Sequence, residues 1–293
     1  VNAAQLRNYA KNDINEFFGL GINASNSVSV SGGTEKIQTY VSYSNTQSIG
    51  MVSTNKYNRN TFAFRQNYKL WDRITLTANV NYNQAKTQNR IGGGTIGNPI
   101  YHLYTTPRDV DMDYYKDNYS ANGSWWSSGD AMGNGTQTYY VLNEDGSYSK
   151  ATGHVLLNGP QQQYAFQGPT FNNPYWLTNM INSENNEERF TASFNATANL
   201  LEGLNFQARV SIDHAKYQSE GHTYASTWGP TDMYKYGIYH LSNSRTNEIY
   251  TDYMLSYNKE FNKDWAFNAS AGYVGHTIKG TGSSTYIGNA TVD

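Results

Sequence analysis

The chain has 293 residues, with 21 basic and 23 acidic side chains for a formal charge of −2, and a mean hydropathy of −0.72. Charged residues make up 15%, against about 25% in ordinary soluble domains, while aromatics reach 15% with 26 Tyr. This near-neutral composition argues against nucleic acid as a partner, and the absence of Cys excludes disulfide frameworks and thiolate metal sites.

No apolar run approaches the roughly 18 residues of a membrane helix, but alternating barrel strands escape that test. Residues 1–26 read as a lead-in segment, helix-compatible from Gln5 to Phe18 and ended by Gly19 and Gly21. Residues 27–90 carry period-two strands. Val28 and Val30 alternate with Ser before the turn Thr34-Glu35-Lys36. Ile37, Thr39, Val41 and Tyr43 then share one face, as do Phe62, Phe64, Tyr68 and Leu70 in the next strand. That strand aims Arg65 and Lys69 the other way. After Trp71-Asp72-Arg73, Ile74, Leu76, Ala78, Val80 and Tyr82 oppose an all Thr/Asn face, the pattern of a half-buried strand.

Residues 91–186 form a long segment opened by Gly92-Gly93-Gly94, with a small hairpin predicted around Asp145-Gly146. Alternation resumes over 187–293. Phe190, Ala192, Phe194, Ala196 and Ala198 oppose Arg189 and its polar neighbours, and Leu204 to Ile212 oppose Arg209 and Asp213. A second loop is expected near 219–246. The last hairpin sets Ile249, Tyr253 and Leu255 opposite Asp252, then turns at Asn262-Lys263-Asp264 toward Trp265, Phe267 and Tyr273. About eight strands result. Short turns alternate with long connections, which is the pattern of an antiparallel transmembrane β-barrel with long extracellular loops. Tyr68, Trp71 and Trp265 fall by the short turns and Tyr43, Tyr82 and Tyr273 toward the other ends, where aromatic girdles are expected.

No catalytic constellation is present, so the chain reads as a non-enzyme needing no cofactor. The six His lack metal-ligand spacing. Asp109, Asp111, Asp113 and Asp117 are suited to a hard cation, but a solvated acidic loop is the plainer reading. The strand charges Arg65, Lys69, Arg189, Arg209, Asp213 and Asp252 are expected to face the lumen. Tyr101, Tyr104, Trp125, Trp126, Tyr175, Trp176 and Trp228 sit in Gly/Asn-rich loops. There they suit a sugar ring or a protein partner, or else pack the loop against itself.

The run from Asn26 to Lys36 (NSVSVSGGTEK), with Tyr40-Val41-Ser42-Tyr43, resembles a hairpin of SusC/RagA-family TonB-linked outer-membrane proteins. Tyr57 to Phe62, Asn98-Pro99 and Thr106 to Val110 are similar to segments of that family as well. The resemblance implies the middle segment of a plugged barrel of about 22 strands, embedded in outer-membrane lipid of a Gram-negative bacterium. It implies import of oligosaccharides or peptides with a SusD-like surface lipoprotein as lid. The plug and the TonB-contacting segment of the family have no counterpart here, and both ends are expected to lie inside a longer chain. A surface binding or adhesion barrel without energised transport is the alternative.

Overall fold

The computed structural model describes residues 13–95, 97–126, 137–142, 147–153, 156–165, 171–227, 237–261 and 263–288. Its main element is one eight-stranded antiparallel sheet. The strands are β1 (Ile22–Gly33), β2 (Ile37–Ile49), β3 (Lys56–Trp71), β4 (Ile74–Gln88), β9 (Ile181–Leu201), β10 (Leu204–Thr223), β11 (Ile238–Glu260) and β12 (Ala266–Gly288). They lie side by side in chain order. Between β4 and β9, the long connection holds helices α1 (Pro99–Thr105), α2 (Met112–Asp117) and α3 (Pro174–Met180). It also holds two small ladders. β5 (Ser120–Trp126) pairs with β8 (Leu156–Gln162), and β6 (Gln137–Leu142) pairs with β7 (Tyr148–Gly153), while the predicted Asp145-Gly146 turn lies outside the described residues.

Register follows from the alternation, because a one-residue slip would exchange the two faces of every strand. One apolar row runs Val30, Val41, Phe64, Val80, Ala192, Ile212, Ile249 across seven strands. The next row sets Tyr43, Phe62, Tyr82 and Phe190 side by side. Among the described residues no second layer covers these rows: Val30 is 68% exposed, Tyr43 46% and Ile249 49%, and side chains such as Val41 and Val80 are half-buried only by their strand neighbours. A soluble sandwich buries such a face. Here the buried apolar side chains Phe17, Val52, Leu103, Val110 and Met112 cluster outside the sheet, at the end where the long connections meet.

Two of the tight turns show a local cause. Thr34 Oγ1 accepts from the backbone N–H groups of Lys36 and Ile37, both at 3.2 Å, which closes the β1–β2 turn. Gly203 closes the β9–β10 turn at φ +80°, where its missing Cβ leaves room for the Asn258 carbonyl. All the tight turns fall at one end of the sheet. The other end holds the β2–β3 loop, the long connection and the β10–β11 connection.

The strands overrun some expected limits. β1 starts at Ile22 rather than at residue 27, and β10 and β11 reach Thr223 and Ile238, so the second loop is shorter than 219–246. Ladder hydrogen bonds carry pairing past the apolar stretch that marks a strand in sequence. Within the lead-in, Ile14–Phe17 is a 3-10 turn capped by Asp13, and residues 1–12 lie outside the described residues. Among the described residues, β1 and β12 each pair on one side only, and the sheet does not close.

Candidate functional site

Two surfaces hold the candidate residues: the polar face of the sheet and the cap formed by the long connections. On the polar face, strand geometry brings side chains of adjacent strands to about 4.5–5.5 Å between Cβ atoms. Arg209 stands directly opposite Asp252, and its Nε donates to Asp252 Oδ2 at 2.6 Å while the guanidinium lies 5.4 Å from the Tyr250 ring. Asp252 is only 7% exposed, so pairing it with a guanidinium offsets its desolvation. Arg189 reaches diagonally to Asp213, donating through Nε at 3.0 and 3.1 Å and also through its terminal nitrogen. Glu248 meets His276 Nε2 at 2.7 Å. Arg65 is held by an amide instead, its Nε donating to Asn79 Oδ1 at 2.9 Å.

On β9–β12 these charges of the polar face are therefore paired, whereas Arg65 and Lys69 of β3 have no acid among the ion pairs of the described residues, and Asn, Ser and Thr fill the positions between. Arg65 lines two shallow hollows, one with Ser31, Tyr40 and Asn67 and one with Asn79, Asn81 and Ser193. A third hollow takes in Asp213, Glu248 and Tyr250. Lys69 lies nearer the tight turns, opposite Thr75. Asn79, Tyr250, Glu248 and His276 were not singled out from sequence. Their signal was their position: each follows from continuing the polar period onto the neighbouring strand.

The cap is built by helix capping and by long-range hydrogen bonds. Asn98 and Asn173 each precede a Pro, and their side chains accept from Ile100 and Tyr175 N–H at 3.0 and 2.9 Å, starting α1 and α3. Asp111 does the same for α2 by accepting from Tyr114 N–H. Trp176 has no exposed surface, and its indole N–H donates to Thr227 Oγ1 at 2.9 Å, joining α3 to the segment after β10. Gln162 donates to Asn172 Oδ1 and to the Ser226 carbonyl and accepts from Asn173 N–H at 2.6 Å. Buried His102 accepts from Asn172 N–H. Thr106 hydrogen-bonds Tyr164, whose phenol is pushed up to about 12, mainly by burial. Glu16 is hydrogen-bonded to Asp113, and that neighbouring carboxylate holds the Glu16 carboxyl above its usual range.

The loop aromatics thus part company. Trp176 is sealed inside the cap, and Tyr175 is half-buried with its ring 5.2 Å from Phe17. Tyr101 and Tyr104 stand on α1 at 40% and 65% exposure. Trp125 and Trp126 belong to β5, and Trp228 lies outside the described residues. In the acidic run, Asp111 and Asp113 occupy the cap and first turn of α2, where negative charge complements the helix N-terminus. Among the described residues no group of three or more side chains is arranged to hold a metal ion.

No protein-family model and no curated protein matches this chain. Solved structures do. The RagAB peptide transporter matches over 98% of this chain with a TM-score of 0.64 at 14% identity. The RagAB peptide importer in its closed-closed and open-open states matches over 95% and 90%, with TM-scores of 0.61 and 0.58, again at 14% identity. The chain spans 25–28% of the length of those transporter chains. At this identity the likeness shows the fold: a segment of the antiparallel wall of a RagA-like transporter barrel.

Proposed function

We propose that the chain is part of a TonB-dependent outer-membrane importer of large nutrients, working with a SusD-like surface lipoprotein. The observation that carries this reading is the match of 98% of the chain to the wall of a peptide transporter, with one face apolar and uncovered and the other polar. The uncovered face meets outer-membrane lipid, because strands in a bilayer must show apolar side chains to the acyl chains. The polar face lines the lumen. Its charge pairs across β9–β12 leave a wet wall there suited to uncharged or mixed-charge cargo. Peptides come first because the similar structures are named as peptide importers; oligosaccharides are the second class.

The cap is the outward-facing end. Tyr101 and Tyr104 offer it two exposed rings, and a peptide, a sugar or the lipoprotein lid finds apolar area there at small entropic cost. Transport by the family route is capture beneath the lid followed by energised displacement of a plug, with no covalent step by these residues.

Purification of the native protein from outer membranes in mild detergent, with mass spectrometry of whatever co-purifies, tests the reading. A longer parent chain with a surface lipoprotein is the expected result. A chain recovered without a lipoprotein partner, in a parent without a plug, would replace import with a binding or adhesion role.

A further inference from the structure

The apolar face of β10–β12 does not stay apolar along its length. Ile212 and Ile249 stand side by side, 44% and 49% exposed. The next row toward the cap is His214, Asn247, Lys279, and the one after it is Lys216, Arg245, Thr281. Successive residues on one face are about 6.6 Å apart along a strand, so the Lys216 row is about 13 Å past the isoleucines, or about 10 Å in height at a barrel tilt. Three cations therefore crowd one patch just above the apolar band.

Their arrangement is electrostatically unfavourable by itself. Lys216 and Arg245 are directly opposite each other, and like charges in that position destabilise a strand pair. On the other face of these strands Arg189 and Arg209 each have an aspartate partner. None of the ion pairs among the described residues includes Lys216, Arg245 or Lys279. Glu188 is opposite Lys216 across the β9–β10 pair, yet forms no ion pair with it. Lys216 and Arg245 instead flank a shallow hollow of about 400 Å³ shared with Asn243, Thr281 and Ser283, so hydroxyl and amide groups converge with the two cations.

We infer that Lys216, Arg245 and Lys279 form a binding site for the phosphorylated headgroup of an outer-leaflet lipid. Its acyl chains lie against Ile212 and Ile249, and its phosphate offsets the repulsion between Lys216 and Arg245, for which Glu188 on the β9 side of Lys216 supplies no ion pair. The inference rests on the outer-membrane reading above. A membrane lipid is the occupant because the hollow stands on the same face as the apolar wall, about 10 Å above the isoleucines, at the height where headgroups sit.

The test is native mass spectrometry of the full-length protein, washed with detergent, as wild type and as the Lys216→Gln/Arg245→Gln/Lys279→Gln variant. Lys86→Gln serves as the control, since Lys86 already has its acid in Glu184. The wild type and the control are expected to keep a phosphorylated lipid, and the triple variant to lose it about tenfold. All three proteins should retain heat-modifiable migration, the mark of an intact barrel. Equal lipid retention in folded wild type and triple variant overturns the site and leaves the barrel reading standing. Adducts of bare phosphate without lipid overturn the lipid assignment. Recovery of the wild type in the soluble fraction with no lipid overturns the barrel reading, and the site with it.

Discussion

Trp176 and Tyr101 are both aromatic residues of short helices in the same connection, yet burial gives them opposite roles. Truncating Trp176 to Ala leaves a cavity and strands the Thr227 contact, and it is expected to cost about 3–5 kcal/mol in the stability of the cap. Hydrogen exchange of the α1 and α3 amides would measure the loss. Tyr101→Ala and Tyr104→Ala remove exposed rings and should change stability by no more than about 0.5 kcal/mol, and under the proposed function they should weaken nutrient or lid binding. A stability loss at Tyr104 equal to that at Trp176 would contradict this division. Tyr164 adds a pH dependence. Its phenol is raised from 10.0 to about 12, so the neutral form is favoured in the folded cap. Stability from this group is complete below pH 10 and is lost as pH rises toward 12, by about 3 kcal/mol for a shift of about two units. Tyrosinate absorbance followed with exchange of the cap amides should show the cap loosening in that window, and Tyr164→Phe should remove the step.

The two faces of a single strand make a sharper test of the wall than any loop residue. Phe194 and Ser193 are neighbours in β9 on opposite faces, Phe194 in the middle of the apolar band and paired with Val210. On the proposed outer-membrane reading, lysine at Phe194 would meet hydrocarbon and should destabilise the folded wall by about 2–4 kcal/mol, whereas lysine at Ser193 would meet the wet side and should be nearly neutral. Denaturant unfolding in lipid or detergent reads both; equal costs would mean that the apolar face is not in lipid. At the turn, Gly203→Ala forces a Cβ against the Asn258 carbonyl at a left-handed φ, and slower refolding or local unpairing of β10 and β11 is expected. These strands were legible in sequence because a period of two states both the element and the face, as Ile74 to Tyr82 shows. The cap was not. Trp176 meets Thr227 and Asn172 meets His102 across 51 and 70 residues, and no local pattern announces which loop residues fold back to seal a ring. The Asn-Pro pairs at 98 and 173 were the readable trace of α1 and α3, since Asn caps and Pro starts a helix.

At the scale of the molecule, the asymmetry of the two ends decides orientation. β9–β12 run 20–23 residues each, about twice what a tilted strand needs to cross a bilayer. The apolar band occupies the half near the tight turns, from Leu204 to Ile212 in β10. Beyond it the same face turns to His214 and Lys216. In the proposed outer-membrane setting the excess length would project on the cap side, carrying the cap above the membrane surface and leaving the tight turns at the opposite interface, where Trp71 and Trp265 are 65% and 71% exposed. Barrels of this kind put their short turns in the periplasm. These 293 residues contain no Cys, so cysteines introduced among them can be read against labelling of the unsubstituted protein. Single cysteines at Met51 and Tyr104, both exposed at the cap end, are expected to react with a membrane-impermeant maleimide on intact cells. Cysteines at Asp72 and Glu202, in the turns, should react only after the outer membrane is permeabilised. Labelling of the turns and not the cap on intact cells would invert the wall and move Tyr101 and Tyr104 away from any external ligand. Equal labelling of all four positions would remove the bilayer from between them.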